Sequence, residues 1–310
     1  MRTRWIAAVI ILLAPLVCRA GLVFDFQYGT GEEYWTANRK AALSEAANML
    51  AAYLSVPAPR TLTFSVTGQN TNSGILASAG SGLYAFPGFN KTIVQQKIQT
   101  GVDLNGASDD GTINWNFFHS WDTGDSVGAG SYDFKAVAMH ELMHTFGFLS
   151  LVDSAGNNTE NYWADFDKFL VDSNGDSPIG NGTYLWNAAY DTNLTGGNGG
   201  LYFGGANAVA AFGGLVPLYT PNSWMSGSSV SHLDTTFFTG VDRKMMNHSL
   251  STGAGVRTLS VIELGMLADL GYSLASTAVP EPSTWWMALL TGAWVGIYVI
   301  RRKKQKGVRN

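Results

Sequence analysis

The sequence predicts an α+β domain, and three observations carry that class. Helical spacing of apolar residues recurs over 34–54 (YWTANRKAALSEAANMLAAYL), over 131–148 and over 259–272 (LSVIELGMLADLGY). Strand-like patterns occur at 61–68 (TLTFSVTG) and 112–118 (TINWNFF), set between the first two helices. The stretch 152–230 is loop-rich and low in charge. The expected architecture is an N-terminal half with a mixed sheet plus helices, and an irregular C-terminal half that closes on a final helix.

In chain order, Arg2 and Arg4 precede an apolar run from Trp5 to Val17, and Cys18-Arg19-Ala20 follows. Basic, apolar and cleavage regions in that order predict a secretory signal peptide over 1–20, and the run is short for a membrane span. Pro57 ends the 34–54 helix, and the 61–68 strand follows. Residues 71–90 are rich in Gly and Ser and suggest a hairpin or loop. A short helix is expected at 91–99, a Gly/Asp loop at 101–111, and the 112–118 strand after it. Residues 166–178 (FDKFLVDSNGDSP) suggest a strand entering an Asn-Gly turn. The Asp172-Ser-Asn-Gly-Asp176 spacing also resembles the start of a calcium loop, but Ser177 and Thr183 stand where that loop needs Gly and Glu. Residues 196–205 suggest a turning loop, and Gly271 is placed to cap the last helix. After Val279-Pro-Glu-Pro-Ser283, a short apolar run from Trp285 to Ile300 ends in Arg301-Arg-Lys-Lys304. That is a hydrophobic segment with a positive stop, its basic end expected on the cytoplasmic side. Residues 21–278 remain as the functional domain.

Charge narrows the partners. Of 19 Lys and Arg, three lie at 2–19 and six at 301–309, leaving ten against 23 acids, so the body is near −13. A body this acidic argues against nucleic acid or an anionic membrane surface as a partner. The single cysteine, Cys18, lies in the expected leader, so the domain has no disulfide and no thiolate ligand or nucleophile.

The chemistry concentrates at 136–150, AVAMHELMHTFGFLS. Between Phe134 and Phe148 the only polar side chains are Lys135, His140, Glu141, His144 and Thr145. A helix apolar on nearly every side is buried, and burying imidazoles and a carboxylate without partners costs several kcal/mol. A metal offsets that cost. His140 and His144 are one turn apart on one face and can aim at one ion, while Glu141 is rotated towards a water beside it. This is the H-E-x-x-H pattern: two zinc ligands and a general base. The residues alone leave the third ligand open among His232, His248 and an acid such as Glu160, which the gluzincin arrangement would use. His248 and His119 are expected as surface or loop histidines.

H-E-x-x-H-x-x-G, with Gly147, resembles the metzincin proteases. Their compact form places a third His where this chain has Ser150. Ser231-His-Leu-Asp234, Lys244-Met-Met-Asn247 and the 259–272 segment together resemble the C-terminal half of the leishmanolysin-like metzincins. That resemblance implies His232 as third ligand across an insertion from Phe148 to Ser231. It also implies a methionine turn at Met246, a soft apolar floor for the site, and a metzincin-like fold. The family's disulfides and latency cysteine have no counterpart in the domain. The Pro280-Glu-Pro282, span and basic tail likewise resemble a PEP-CTERM sorting tail over 279–310. This implies export through the inner membrane, transient anchoring, and cleavage by an exosortase-type enzyme.

Together these readings predict an exported, envelope-sorted Zn2+ endopeptidase acting on protein or peptide substrates. His140, His144 and His232 are its expected ligands, Glu141 its base, and Gly147 and Met246 its structural neighbours. The alternative is a zincin scaffold without turnover, serving as a matrix or adhesion protein.

Overall fold

The computed structural model describes residues 21–276. The expected leader at 1–20 and tail at 279–310 lie outside the described residues. Among the described residues, no helix is long and apolar enough to cross a membrane.

The chain opens with strand β1 (Leu22–Tyr28), crosses over through helix α1 (Ala37–Ala51), and returns as β2 (Arg60–Gln69) parallel to β1. Strands β3 (Ala77–Gly80) and β4 (Gly88–Asn90) and helix α2 (Ile93–Thr100) lead to β5 (Gly111–Asn116). The main sheet has the order β1-β2-β5-β3, with β5 parallel to β2 and β3 antiparallel on the edge. It is therefore mixed, as expected. On β2, Leu62, Phe64 and Val66 are buried while the alternating Thr63, Ser65 and Thr67 stay half-exposed. The pattern T-L-T-F-S-V-T fits a strand with one face on the core. β1 carries a similar alternation, LVFDFQY.

Two-residue strands β6 (Trp121–Asp122) and β7 (Tyr132–Asp133) pair ahead of helix α3 (Phe134–Thr145). α3 packs on α1 and on the edge strand β3. Its start is fixed by Asp133, whose Oδ1 accepts the Ala136 amide at 3.0 Å. Arg257 neutralises that buried cap, its Nε lying 2.8 Å from Asp133 Oδ2.

The second half is irregular, as the low-charge, Gly-rich sequence predicts. Short strands β8 (Tyr162–Ala164), β9 (Leu170–Val171), β10 (Tyr202–Phe203) and β11 (Val216–Pro217) alternate with helix α4 (Ala206–Phe212), and helix α5 (Val261–Asp269) closes it. The expected strand at 166–178 is mostly a 3-10 turn over Asp165–Phe169, followed by the short β9. Phe166, Phe169 and Leu170 sit three and four apart, a helical spacing that a short apolar run disguises. The turn after β9 is present: Asp172 Oδ1 accepts the amides of Asn174 (2.8 Å) and Asp176 (2.9 Å). That carboxylate is spent on its own backbone. The segment 71–90, expected as a hairpin or loop, contains β3 and β4, which pair with β5 and β8 and not with each other.

α5 ends as the sequence suggests. Gly271 takes φ +89°, its amide reaches Ala268 O, and the Tyr272 amide reaches Leu267 O. Within α5, Gly265 lets α4 approach closely, since a Cβ there would lie 2.8 Å from the Ala208 backbone. The chain is thus a mixed α+β fold whose two halves meet at the C-terminal end of α3.

Candidate metal centre

The sequence splits the site's residues between a helix and loops, and the fold brings them together. His140 and His144 come from α3, and His232 comes from the loop before Leu233. His140 Nε2 lies 3.1 Å from His232 Nε2 and 3.2 Å from His144 Nε2. Among the described residues these three form a group able to hold a metal, their donor atoms all within 4.8 Å of one another.

Each ring is held from behind by a backbone carbonyl. His140 Nδ1 donates to Met245 O at 2.8 Å, His144 Nδ1 to Phe148 O at 2.7 Å, and His232 Nδ1 to Ser228 O at 2.8 Å. A carbonyl can only accept, so the proton of each neutral ring sits on Nδ1. All three Nε2 atoms then present bare lone pairs to one another. Burial pushes His140 down to about 3, with the neighbouring His144 adding to the effect. It lowers His144 and takes His232 well below the usual histidine range. A proton is therefore a poor bridge between them, and a cation that takes all three lone pairs is a good one. With zinc–nitrogen bonds of about 2.0–2.1 Å in a tetrahedral site, donor atoms stand about 3.3–3.4 Å apart. The His140 distances of 3.1 and 3.2 Å fit that spacing with little movement.

Gly147 has a specific task here. The amides of Gly147 and Phe148 return to His144 O and Met143 O, which terminates α3 with Gly147 at φ +93°. This reversal carries Phe148 O back to His144 Nδ1. A Cβ on Gly147 would fall 2.6 Å from Gln95 Oε1. Gln95 is itself pinned, its Nε2 donating to Asp165 Oδ2 and Leu270 O, both at 3.0 Å.

Glu141 is half-buried and faces the same cavity as the three imidazoles. Burial pushes its carboxyl up to about 7, and a hydrogen bond with the Ala79 backbone on β3 opposes the rise. The cavity holds about 770 Å³; β3 forms one wall and the 225–228 loop another. Among the described residues that line it, Tyr132 is the one ionisable side chain besides Glu141 and the histidines.

Met245 and Met246 are both buried and sit in a turn whose backbone serves the site. Met245 O holds His140, and Met246 O accepts the Leu233 amide at 2.9 Å, beside His232. Ser150, which fills the compact-pattern position, instead donates its amide to Ser231 Oγ at 3.0 Å and so touches the neighbour of His232.

The other candidates are not part of the histidine cluster. Glu160 is exposed and belongs to no metal-holding group among the described residues. His119 Nε2 pairs with Ser73 O at 2.9 Å in a loop. His248 corrects the surface expectation. It lines the cavity, stacks on Tyr219 with ring centres 3.7 Å apart, and pairs through Nδ1 with Thr235 Oγ1 at 3.0 Å. The stacking partner lies 29 positions upstream in a region without a periodic signal, so sequence could not bring the two together. Sequence also gave no sign of the Ser228 and Met245 carbonyls, or of Val230. Val230 is buried at φ +66°, a conformation costly for a β-branched residue, two positions before His232.

Compared with known proteins, the chain matches no family model and no curated protein.

Proposed function

We propose that this chain is a zinc-dependent endopeptidase of metzincin-like design. The observation that carries the reading is the convergence of three neutral imidazoles. Each has its Nδ1 proton committed to a carbonyl, which leaves three Nε2 lone pairs within reach of one ion. His140, His144 and His232 would hold the metal. Imidazole nitrogen alone, in a threefold set with one side open to a cavity, suits a catalytic zinc better than calcium or magnesium, which take oxygen. Zinc held there supplies Lewis acidity, acidifying a water and polarising a carbonyl.

The remaining work belongs to the chain. Glu141, one residue round the helix from His140, takes the proton from the attacking water and delivers it to the leaving amine. The Ala79 backbone steadies that carboxylate. β3 is the outermost strand of its sheet and lines the cavity. An extended peptide can add to such an edge through main-chain hydrogen bonds, which favours a polypeptide substrate. Met246 as an apolar floor, export, and envelope sorting through the Pro280-Glu-Pro282 tail belong to the same proposal.

The test is Glu141→Gln. Casein hydrolysis is expected to fall by about 10²–10⁴-fold, with zinc content unchanged by metal analysis. A variant that cleaves as fast as the parent refutes the mechanism. A parent that binds zinc and cleaves no peptide favours the scaffold reading instead.

A further inference from the structure

Glu263 is a buried carboxylate that the proposed chemistry does not use. It sits in the first turn of α5 and is fully buried. Its Oε2 accepts the Ser260 amide and the Ser260 hydroxyl, both at 2.8 Å, which completes a capping box for α5. A cap needs no more than that, and a cap at the surface would avoid the cost of burial. The other oxygen does something different. Oε1 accepts the Met246 amide at 2.8 Å, 17 residues upstream.

The Met246 amide and the Met245 carbonyl belong to one peptide group. On its far side that group accepts the His140 Nδ1 proton at 2.8 Å. Carboxylate, peptide and imidazole therefore form one hydrogen-bonded line. A peptide plane gripped at both ends cannot rotate without losing both bonds. A carboxylate on its N–H also polarises its carbonyl, which makes that carbonyl a better acceptor for the ring behind the Nε2 lone pair. The next carbonyl, Met246 O, accepts the Leu233 amide at 2.9 Å and so fixes the chain just after His232. Burial raises Glu263 above the usual carboxylate range, while the Ser260 and Met246 donors and nearby Lys244 favour its charged form.

Resting on the metal-centre reading above, we infer that Glu263 is a positioning residue for that centre. Its carboxylate holds the Met245–Met246 peptide and, through it, the orientation of His140 and the placement of His232.

The experiment compares Glu263→Asp, Glu263→Gln and Ser260→Ala in the full-length chain. It measures zinc affinity by competition with a chelator, the Co2+ absorption spectrum, and Tm of the metal-free protein. Asp can still cap α5 but is one methylene short of Met246. Gln can reach Met246 but lacks the charge. Ser260→Ala weakens the cap and leaves the Met246 contact. Zinc dissociation is expected to rise about tenfold in Glu263→Asp and by less in Glu263→Gln, with an altered Co2+ spectrum in both. Ser260→Ala should lower Tm and leave zinc affinity at the parent value. The inference is overturned if a folded Glu263 variant binds zinc as tightly as the parent, or if Ser260→Ala weakens zinc as much. A parent chain that binds no zinc sinks the metal centre itself, and the inference with it.

Discussion

Replacing His232 with alanine tests the assembly of the centre most directly. His140 and His144 are neighbours on one helical turn, whereas His232 lies 92 residues from His140 and comes from the other half of the fold. A metal on all three therefore ties the two halves together. Zinc a thousandfold above its dissociation constant adds about 4 kcal/mol to the folded state. For a domain of this length, each kcal/mol moves Tm by about 2–4 °C, so zinc should raise the parent Tm by about 8–16 °C. Losing an outer partner costs about 10–100-fold, and losing a direct ligand should cost at least the upper end of that range. At the same zinc concentration the linkage in His232→Ala then falls to about 1.4 kcal/mol, and the shift to about 3–6 °C or less. The assay is calorimetry on protein stripped with a chelator, with and without added zinc. His248→Ala is the control: its ring stacks on Tyr219 and pairs with Thr235, so the full zinc shift should survive. A zinc shift in His232→Ala as large as the parent's refutes the ligand assignment. So does its loss in His248→Ala alone.

Gly147→Ala should lose about 1–3 kcal/mol from the left-handed backbone alone, plus the clash with Gln95, as read by urea unfolding; parent-like stability would contradict the geometry. Asp167 should make stability fall with rising pH. It is fully buried, and burial raises it to about 7, opposed by a hydrogen bond with the Ser150 side chain and by the Leu151 and Ala164 amides. The folded state then holds the proton more tightly than the unfolded one. This stabilisation is complete below pH 3.8, declines up to about pH 7, and is flat beyond, for a total of up to about 4 kcal/mol. Asp167→Asn removes that proton, so parent-minus-variant stability should decline across the same window in urea titrations; a difference independent of pH would show that Asp167 does not titrate there.

What sequence made legible were features that repeat at short range. His140 and His144 are separated by one helical turn, so spacing alone pairs them. Thr63, Ser65 and Thr67 alternate with buried neighbours, so β2 announces itself. Gly271 and Gly147 follow apolar helices, and both turn out to terminate them through a left-handed residue. β1 follows the same rule, with Phe24, Phe26 and Tyr28 alternating with Asp25 and Gln27. The 165–169 turn differs from the expected strand because a short run of Phe and Leu suits either period. His232 is of another kind. Its ring is aimed by Ser228 O, and its backbone carbonyl is held by the Tyr219 amide at 2.8 Å. Neither bond leaves a periodic trace, and only the family resemblance pointed there. His248 likewise leaves no periodic trace, since its place in the cavity wall depends on a ring 29 positions upstream.

The three imidazoles share one design choice: among the described residues, each is oriented by a main-chain carbonyl and none by a carboxylate side chain. A carbonyl carries no charge, so the site escapes the cost of burying three anions behind three imidazoles. It also gives a weaker acceptor and one whose direction depends on the local backbone. Accuracy must then come from whatever fixes each backbone segment. For Phe148 O that is Gly147 in its left-handed turn. For Ser228 O, the loop is secured by the Ser228 and Ser229 amides on Met225 O and by Val230, buried at φ +66°. For Met245 O it is the Glu263 carboxylate, which places one negative charge a peptide away from the ring. Mutational sensitivity should therefore extend to residues outside the three imidazoles, and the His140 arm, whose support is a carboxylate, is the one where acceptor strength as well as direction can be tuned.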